Sequence, residues 1–209
     1  MTDIPSGDAG FPAAGGPPFA RLAADIVARG SPLPRGKLVL IDGRAGAGKS
    51  TLAAGLSQLL GDAGLMVATI ALDDVYDGWE GLTDPSFGAH LEAWIAEPLR
   101  AGAQPSYQVY DWARGGYNGW RLVPPADVYV IEGVGAGHPA LAGISTLLIW
   151  VEAPGDVRRS RAAGRRGPPA SGWWAHWRDR ETAYFRRHPT RGAADWVVAD
   201  GDPSPRPPC

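Results

Sequence analysis

Cysteine is nearly absent from this chain, and its single thiol, Cys209, is the last of its 209 residues. One thiol cannot form an internal disulfide, so the sequence suits a reducing compartment. Long apolar runs are missing too, because no stretch approaches the roughly 18 apolar residues that a membrane-spanning helix needs. The chain also does not begin with a basic segment followed by an apolar run, the pattern of a secretory signal. These absences predict a cytoplasmic protein with no membrane partner.

An excess of charge of either sign is missing as well. The chain has 20 Lys and Arg against 22 Asp and Glu, a formal net charge of -2. A protein whose main partner is a nucleic acid usually carries an excess of basic side chains. We therefore expect no nucleic-acid partner. The length suits one domain with a sizeable core.

Proline is concentrated near the two ends of the chain. Residues 1–18 are rich in Gly, Pro and Ala and are predicted to be flexible. Residues 201–209 carry prolines that disfavour both a helix and a strand ladder, so they are predicted to be flexible too. The predicted single domain is residues 19–200.

Apolar runs alternate with helical patterns along this domain. The predicted strands are KLVLID, LMVATIAL, DVYVIEG, TLLIWVEA and ADWVVAD. The predicted helices include FARLAADIVARG, residues 49–60, SFGAHLEAWIAEPLRAG, GDVRRSRAAGRR and WWAHWRDRETAYFRRH. The alternation predicts an α/β fold, with a mostly parallel central sheet and helices on both faces.

A glycine-rich loop lies between the first predicted strand and the next helix. Its sequence, GRAGAGKST, fits the pattern G-x-x-x-x-G-K-[ST] in the expected strand-loop-helix context. Glycines let backbone amides turn toward phosphate oxygens, and the helix N-terminus adds partial positive charge. We expect Lys49 to reach the terminal phosphates of ATP and Ser50 to bind Mg²⁺. The predicted nucleotide-binding residues are Gly43, Ala45, Gly46, Ala47, Gly48, Lys49, Ser50 and Thr51.

Acidic residues follow two other predicted strands. Asp73 and Asp74 follow the second strand, and Glu132 ends the third. Ligands bind at the carboxyl ends of strands in open parallel sheets, so we expect these acids beside the phosphate loop. Asp73 is the candidate base for an acceptor hydroxyl, and Ser50, Asp73 and Glu132 are the predicted metal ligands. The alternative for each aspartate is a solvated loop cap, and because adjacent side chains diverge, this suits Asp74 better.

Seven segments together resemble the uridine kinase branch of the phosphoribulokinase/uridine kinase family. They run from about Lys37 to Asp200 as IDGRAGAGKST, LDDVY, TDPSF, PSYQVYDW, PPADVYVIEGV, WVEAPGDVRRSR and HPTRGAADWVV. The phosphate loop is the specific motif among them, and the order and spacing of all seven carry the resemblance. It implies a P-loop kinase that transfers the γ-phosphoryl group of ATP to a hydroxyl of a nucleoside such as uridine or cytidine.

The resemblance also implies roles for individual residues. Asp73 would be the catalytic base, and Glu132 would serve magnesium and the reacting centre. Asp84 would bind the sugar hydroxyls of a nucleoside, and Tyr110 would line the pocket for its base. The predicted substrate-binding residues are Asp73, Tyr76, Asp84, Tyr110, Trp112 and Arg114.

Arginines in the predicted lid, at about 158–174, would close over the phosphates. Arg158 and Arg161 are predicted to act in catalysis together with Lys49, and Arg165 to bind the nucleotide. Guanidinium groups match phosphate oxygens and stabilise the charge of a transferring phosphoryl group. A solvated helix face is the other interpretation of this run of arginines.

The acceptor side departs from the family pattern. Pro85 follows Asp84 directly where the family has His, and YDWARGGYNGW contains no His. Four aromatic residues, Trp79, Trp112, Tyr117 and Trp120, are predicted in loops near this site, where they would stack on a flat ring or pack against each other.

Other functions remain open from the sequence. The acceptor could be another metabolite, such as pantothenate, a vitamin riboside or a sugar phosphate, the last needing cations such as Arg114 and Arg121. A low-turnover nucleotide-binding regulatory module is the alternative from another class, but the chain lacks an Asn-Lys-x-Asp motif for guanine. Members of the family often form oligomers, so a homo-oligomer is also left open.

Overall fold

The computed structural model describes residues 17–166, 171–199 and 202–205, with side chains at 19–161 and 175–199. The strands are β1 (Lys37–Gly43), β2 (Val67–Ala71), β3 (Ser106–Asp111), β4 (Gly116–Leu122), β5 (Val128–Glu132), β6 (Leu147–Glu152), β7 (Trp196–Ala199) and β8 (Asp202–Pro205). The helices are α1 (Pro17–Ala28), α2 (Lys49–Asp62), α3 (Pro85–Leu91), α4 (Glu97–Arg100), α5 (Pro139–Ala142), α6 (Gly155–Arg166), α7 (Ser171–Arg187) and α8 (Thr190–Ala193). Short 3₁₀ turns occupy Leu72–Asp74 and Gly78–Thr83.

The central sheet has the order β2-β5-β1-β6-β7-β8, and its first five strands are all parallel. This confirms the predicted α/β class and each predicted strand. In the middle strand, Leu38 and Leu40 face one hydrophobic core, while Val39 and Ile41 face the other. A strand covered on both faces must be apolar throughout, which explains the unbroken run KLVLI.

Helices α1 and α2 cover one face of the sheet. Helix α1 contributes Phe19, Leu22, Ala23 and Ile26 to the core, a spacing that places all four on one side of the helix. Helices α3, α5 and α7 lie over the opposite face, where they contribute Phe87, Leu141 and Trp177 to the second core.

Three details differ from the sequence-based predictions. The predicted helix over 86–102 is divided into α3 and α4 by a π turn at Glu92–Ala96, next to Pro98, which lacks the N–H that a regular helix would use. Tyr117 and Trp120, predicted in loops, belong to β4, which pairs antiparallel with β3. The tail prediction was wrong for Asp202–Pro205, which pairs antiparallel with β7.

The tail can form this strand despite its prolines because β8 is at the edge of the sheet, where a missing N–H is tolerated. The prediction of a flexible segment at 1–18 lies outside the described residues, except that Pro17 and Pro18 begin α1. Within the described ranges, none of the helices has both the length and the apolar character needed to span a bilayer.

Candidate active site

The strand order brings the ends of β2, β5 and β1 together at one edge of the sheet. Glu132, the last residue of β5, is in register with Ala71 on one side and with Ile41 on the other. Asp73 follows two residues after Ala71, and the phosphate loop starts two residues after Ile41. The structure therefore places the two predicted acids and the phosphate loop side by side.

Two of the three predicted metal ligands are in direct contact. Ser50, in the first turn of α2, donates a hydrogen bond from Oγ to Glu132 Oε1 at 2.9 Å. The adjacent Lys49 is buried, and its ammonium group donates to the backbone carbonyl of Arg44 at 3.2 Å. Hydroxyl, carboxylate and ammonium groups are thus gathered at the base of the loop.

Glycine is required at particular points of the phosphate loop. Gly43 has φ +146° and Gly46 has φ +78°, conformations that other residues rarely adopt. A Cβ atom on Gly43 would lie 2.1 Å from the carbonyl oxygen of Val151, and one on Gly46 would lie 2.4 Å from that of Arg158. The loop is therefore packed tightly against the end of β6 and the beginning of α6.

Asp42 is a buried acid of this site that the sequence-based predictions do not include. Its side chain is fully buried, and it accepts hydrogen bonds from the backbone N–H groups of Gly43, Gly135 and Gly137 at 2.7, 2.8 and 2.9 Å. Burial raises the pKa of Asp42, while the three N–H donors oppose that rise. The signal in the sequence was an acid at the end of an otherwise apolar strand. Asp42 joins the phosphate loop to the segment that follows Glu132.

Asp73 lies at the surface of the same edge. Its side chain is exposed, and its backbone carbonyl accepts a hydrogen bond from the indole Nε1 of Trp112 at 2.9 Å. The neighbouring Asp74 forms an ion pair with Arg121, whose guanidinium also donates to the Tyr107 hydroxyl at 3.1 Å. Asp74 is therefore paired with a cation rather than being a solvated loop cap, and the pair engages Arg121 away from Asp73.

The other predicted substrate-binding residues are placed in different surroundings. Tyr76 is 1% exposed, and its hydroxyl donates to the carbonyl of Val134 at 2.5 Å, so it belongs to the core. Asp84 caps α3 by accepting from the backbone N–H of Ser86 at 2.8 Å. Arg114 is largely exposed at the tip of the β3-β4 hairpin and lies 3.6 Å from the carboxylate of Asp111.

Aromatic rings form a continuous group beside Asp73. The rings of Trp112 and Trp79 meet edge to face at 4.9 Å, and Trp112 also packs against Tyr110 at 5.1 Å. Trp79 in turn contacts Trp177 of α7 at 6.1 Å. Tyr110 and Trp112 therefore lie together in this group.

Two of the three predicted lid arginines contact the phosphate loop. Arg158 donates to the carbonyl of Ala45, and Arg161 to that of Ala47, each at 3.4 Å. These contacts favour a role at the loop over a solvated helix face. The side chain of Arg165 lies outside the described residues, as do the other side chains of the predicted lid from 162 to 174.

A cavity of about 400 Å³ adjoins the phosphate loop at the end of β6. Its lining includes Arg44, Trp150, Glu152, Arg158, Phe185 and Arg191. Glu152 accepts two hydrogen bonds from Arg191, at 2.7 and 3.0 Å, and these, together with a bond from Trp150, hold its pKa below the usual range. No sequence motif indicates this cavity.

Comparison with solved structures identifies the fold. A possible uridine kinase from Bacillus stearothermophilus is similar, with TM-score 0.65, 21% identity and coverage of 86% of this chain and 96% of that one. A proposed fructose transport system kinase from Silicibacter sp. TM1040 is also similar, with TM-score 0.64, 22% identity and coverage of 84% and 94%. D-glycerate 3-kinase from Cryptococcus neoformans has TM-score 0.50, 12% identity and coverage of 92% and 100%.

The chain therefore has the fold of the P-loop kinases, which confirms at the level of the fold the resemblance seen in the sequence. No protein-family model and no curated protein sequence matches the chain.

Proposed function

We propose that the chain is an ATP- and Mg²⁺-dependent kinase that transfers a γ-phosphoryl group to a hydroxyl of a small metabolite, foremost a nucleoside of the uridine or cytidine type. The observation that carries the proposal is the 2.9 Å contact between Ser50 and Glu132 at the base of the phosphate loop. It joins the phosphate-loop helix to the acid at the tip of β5, next to the exposed Asp73.

The donor side of the site has cationic groups in suitable places. Lys49 lies at the base of the loop, and Arg158 and Arg161 reach its backbone from α6. These cations would hold the charge of the phosphoryl group as it moves. The cavity lined by Arg44 and Arg158 lies next to the phosphate loop. We assign it to the nucleoside part of ATP.

The residues at the loop fit a magnesium ion. Mg²⁺ takes oxygen ligands, usually one or two carboxylates with phosphate oxygens and water. The Ser50 hydroxyl and the Glu132 carboxylate are such ligands and already lie within hydrogen-bonding distance. The bound ion would supply neutralisation of the charge on the β- and γ-phosphates.

Asp73 is suited to act on the acceptor. Its exposed carboxylate would align the acceptor hydroxyl and take its proton while the oxygen forms a bond to the γ-phosphorus. The bond between that phosphorus and the bridging oxygen of ATP breaks, and ADP leaves. Closure of the lid would exclude water, which would limit hydrolysis of ATP.

The aromatic group beside Asp73 supports an acceptor with a flat ring. The indole N–H of Trp112 donates to the backbone carbonyl of Asp73, and the rings of Trp79 and Tyr110 pack against Trp112. A sugar phosphate is less well supported, because Arg121 is paired with Asp74 and Arg114 with Asp111. Pantothenate or a vitamin riboside stays an alternative acceptor.

A coupled assay of ADP release tests the proposal. The panel would hold uridine, cytidine, other nucleosides, nicotinamide riboside, pantothenate and common sugars, with a blank that lacks an acceptor. We expect one nucleoside to raise ADP release far above the blank and to yield a phosphorylated product by mass spectrometry. The Lys49→Ala variant, purified in parallel, controls for contaminating kinases. ATP binding without turnover on any acceptor would favour the regulatory module instead.

A further inference from the structure

Glu181 of helix α7 is a buried carboxylate that the proposed chemistry does not use. Its side chain is 1% exposed. One oxygen, Oε1, accepts from the backbone N–H of Ala45 at 2.6 Å, and the other, Oε2, accepts from Arg44 Nη1 at 2.8 Å. A buried carboxylate is strongly unfavourable unless it is paired, so these contacts account for its stable placement. Both partners belong to the phosphate loop.

Arg158 holds the same part of the loop from the other side. Its guanidinium donates to the carbonyl of Ala45 at 3.4 Å and lies 3.9 Å from Glu181 Oε2. Its own backbone carbonyl lies so close to Gly46 that a Cβ there would be 2.4 Å away. The amide of Ala45 is thus held by α7, and its carbonyl is held by α6, the helix in which the predicted lid begins.

Helix α7 is anchored on the acceptor side as well. Trp177 packs against Tyr76 at 5.3 Å and against Trp79 at 6.1 Å between ring centroids. One helical turn further along, Arg180 forms an ion pair with Glu80 in the 3₁₀ turn Gly78–Thr83. The adjacent residue is Glu181, so one helix segment connects the acceptor-side turn with the phosphate loop.

We propose that Glu181 is a positioning residue for phosphoryl transfer, an inference that rests on the proposed kinase function. Its carboxylate holds Ala45, Arg44 and Arg158 in one arrangement. The conformation of the phosphate loop and the position of Arg158 are thereby set before ATP binds. Preorganised donors of this kind stabilise charge without rearranging during the reaction. Glu181 acts through these groups and not on a reacting atom.

The Glu181→Gln variant tests the inference because it keeps the size of the side chain and removes the charge. Titration with a fluorescent ATP analogue should show binding weakened roughly tenfold, the loss expected for hydrogen bonds to a charged group. The KM for ATP should rise and kcat should fall, while the KM for the acceptor stays within roughly twofold. Thermal melts identify a temperature at which the variant is folded, and binding is measured there.

Glu92→Gln is the matched control. It removes a carboxylate that accepts two hydrogen bonds from Arg100, at 2.6 and 2.7 Å, on an exposed surface. Its affinity for the ATP analogue should equal that of the wild type. A double-mutant cycle with Arg44→Gln adds a second readout, because the losses of two directly coupled residues are not additive.

Unchanged ATP affinity in folded Glu181→Gln would overturn the inference, even if its melting temperature falls, because that pattern describes a purely structural residue. Wild-type protein that binds no ATP would overturn the proposed function and this inference with it. If Glu181→Gln does not fold, Glu181→Asp is measured in the same way. It keeps the charge but shortens the reach, so ATP affinity should still fall, and wild-type affinity would count against the inference.

Discussion

The Ser50 hydroxyl donates a hydrogen bond to Glu132 at 2.9 Å, although the two residues are 82 positions apart in the chain. The contact exists because β1 and β5 are parallel neighbours whose carboxyl ends coincide. One strand leads into the phosphate loop and the other ends in the acid. Each residue on its own is an ordinary polar side chain, and together they are the pair that we propose as oxygen ligands for Mg²⁺.

The first prediction concerns Glu132→Gln. The amide is a weaker ligand for a cation than a carboxylate, so turnover should fall by at least roughly a hundredfold. The Mg²⁺ concentration for half-maximal activity should also rise, which an ADP-release assay over a magnesium series would measure. Glu97→Gln, at an exposed position at the start of α4, is the control and should keep wild-type kinetics. A normal magnesium response in Glu132→Gln would remove Glu132 from the proposed site.

The second prediction compares two adjacent aspartates. Asp73→Asn should lower kcat by roughly a hundredfold or more, the usual contribution of a general base, and leave ATP affinity unchanged. Asp74→Asn breaks a surface ion pair with Arg121, which contributes little to stability, and should alter kcat less than about threefold. Steady-state kinetics of the two variants would decide the matter. Full turnover in Asp73→Asn would show that Asp73 is not the base.

The third prediction concerns the shape of the phosphate loop. Gly46→Ala places a Cβ at positive φ and 2.4 Å from the carbonyl of Arg158, so the loop must distort and ATP binding should be lost. Gly61→Ala is the control, since that glycine lies in α2 and a methyl group added to it would meet no heavy atom within 4 Å. Alanine there should leave ATP binding intact and stabilise the helix by about 1 kcal/mol. Calorimetric titration with ATP separates the two variants.

The fourth prediction concerns the buried acid before the loop. Asp42→Asn replaces one acceptor oxygen with an amide donor, which leaves one of the backbone N–H groups of Gly43, Gly135 and Gly137 without its acceptor. The free energy of unfolding should fall by about 1–3 kcal/mol in a urea titration. Asp62→Asn, at the exposed end of α2, should change it by less than about 0.5 kcal/mol. Equal stabilities would mean that the Asp42 hydrogen bonds contribute little.

The fifth prediction concerns acid sensitivity. Burial lowers the pKa of His138, and the neighbouring His188 lowers it further, while Nδ1 of His138 accepts from the backbone N–H of Ala140 at 3.2 Å. Because the unfolded chain binds a proton at a higher pH than the folded chain, stability should fall as the pH drops below about 6.5. His138→Asn keeps a capping side chain without a titrating group. The melting temperature of this variant should depend less on pH between about 7.5 and 5.5. An equal change of melting temperature with pH in the variant and the wild type would show that His138 is not the source of the acid sensitivity.

Much of the sheet could be predicted from the sequence because its signals are local. Runs such as KLVLID and VYVIE are apolar throughout, as strands covered on both faces must be, and the glycine pattern after β1 is a contiguous motif. The β3-β4 hairpin is not apparent from the sequence, because the glycines around Tyr117 and Trp120 are typical of turns and loops. Strand β8 was missed because prolines normally oppose a ladder, and its edge position was not visible in the sequence.

The candidate site, like the fold, has features that the sequence predicts and features that it does not. The sequence by itself determined which residues come directly after each strand, and therefore that Lys49, Ser50, Asp73 and Glu132 would lie at one edge of a parallel sheet. It also determined the positions where the loop needs glycine, because backbone conformation near a phosphate is a local requirement.

Only the tertiary structure decided which distant groups meet. It directed Tyr76 into the core, paired Arg121 with Asp74, surrounded Asp42 with three N–H donors and placed Glu181 against Ala45. These contacts join residues far apart in sequence. They depend on strand order, on the packing of α7 over the sheet and on which side chains are buried, so no short segment encodes them.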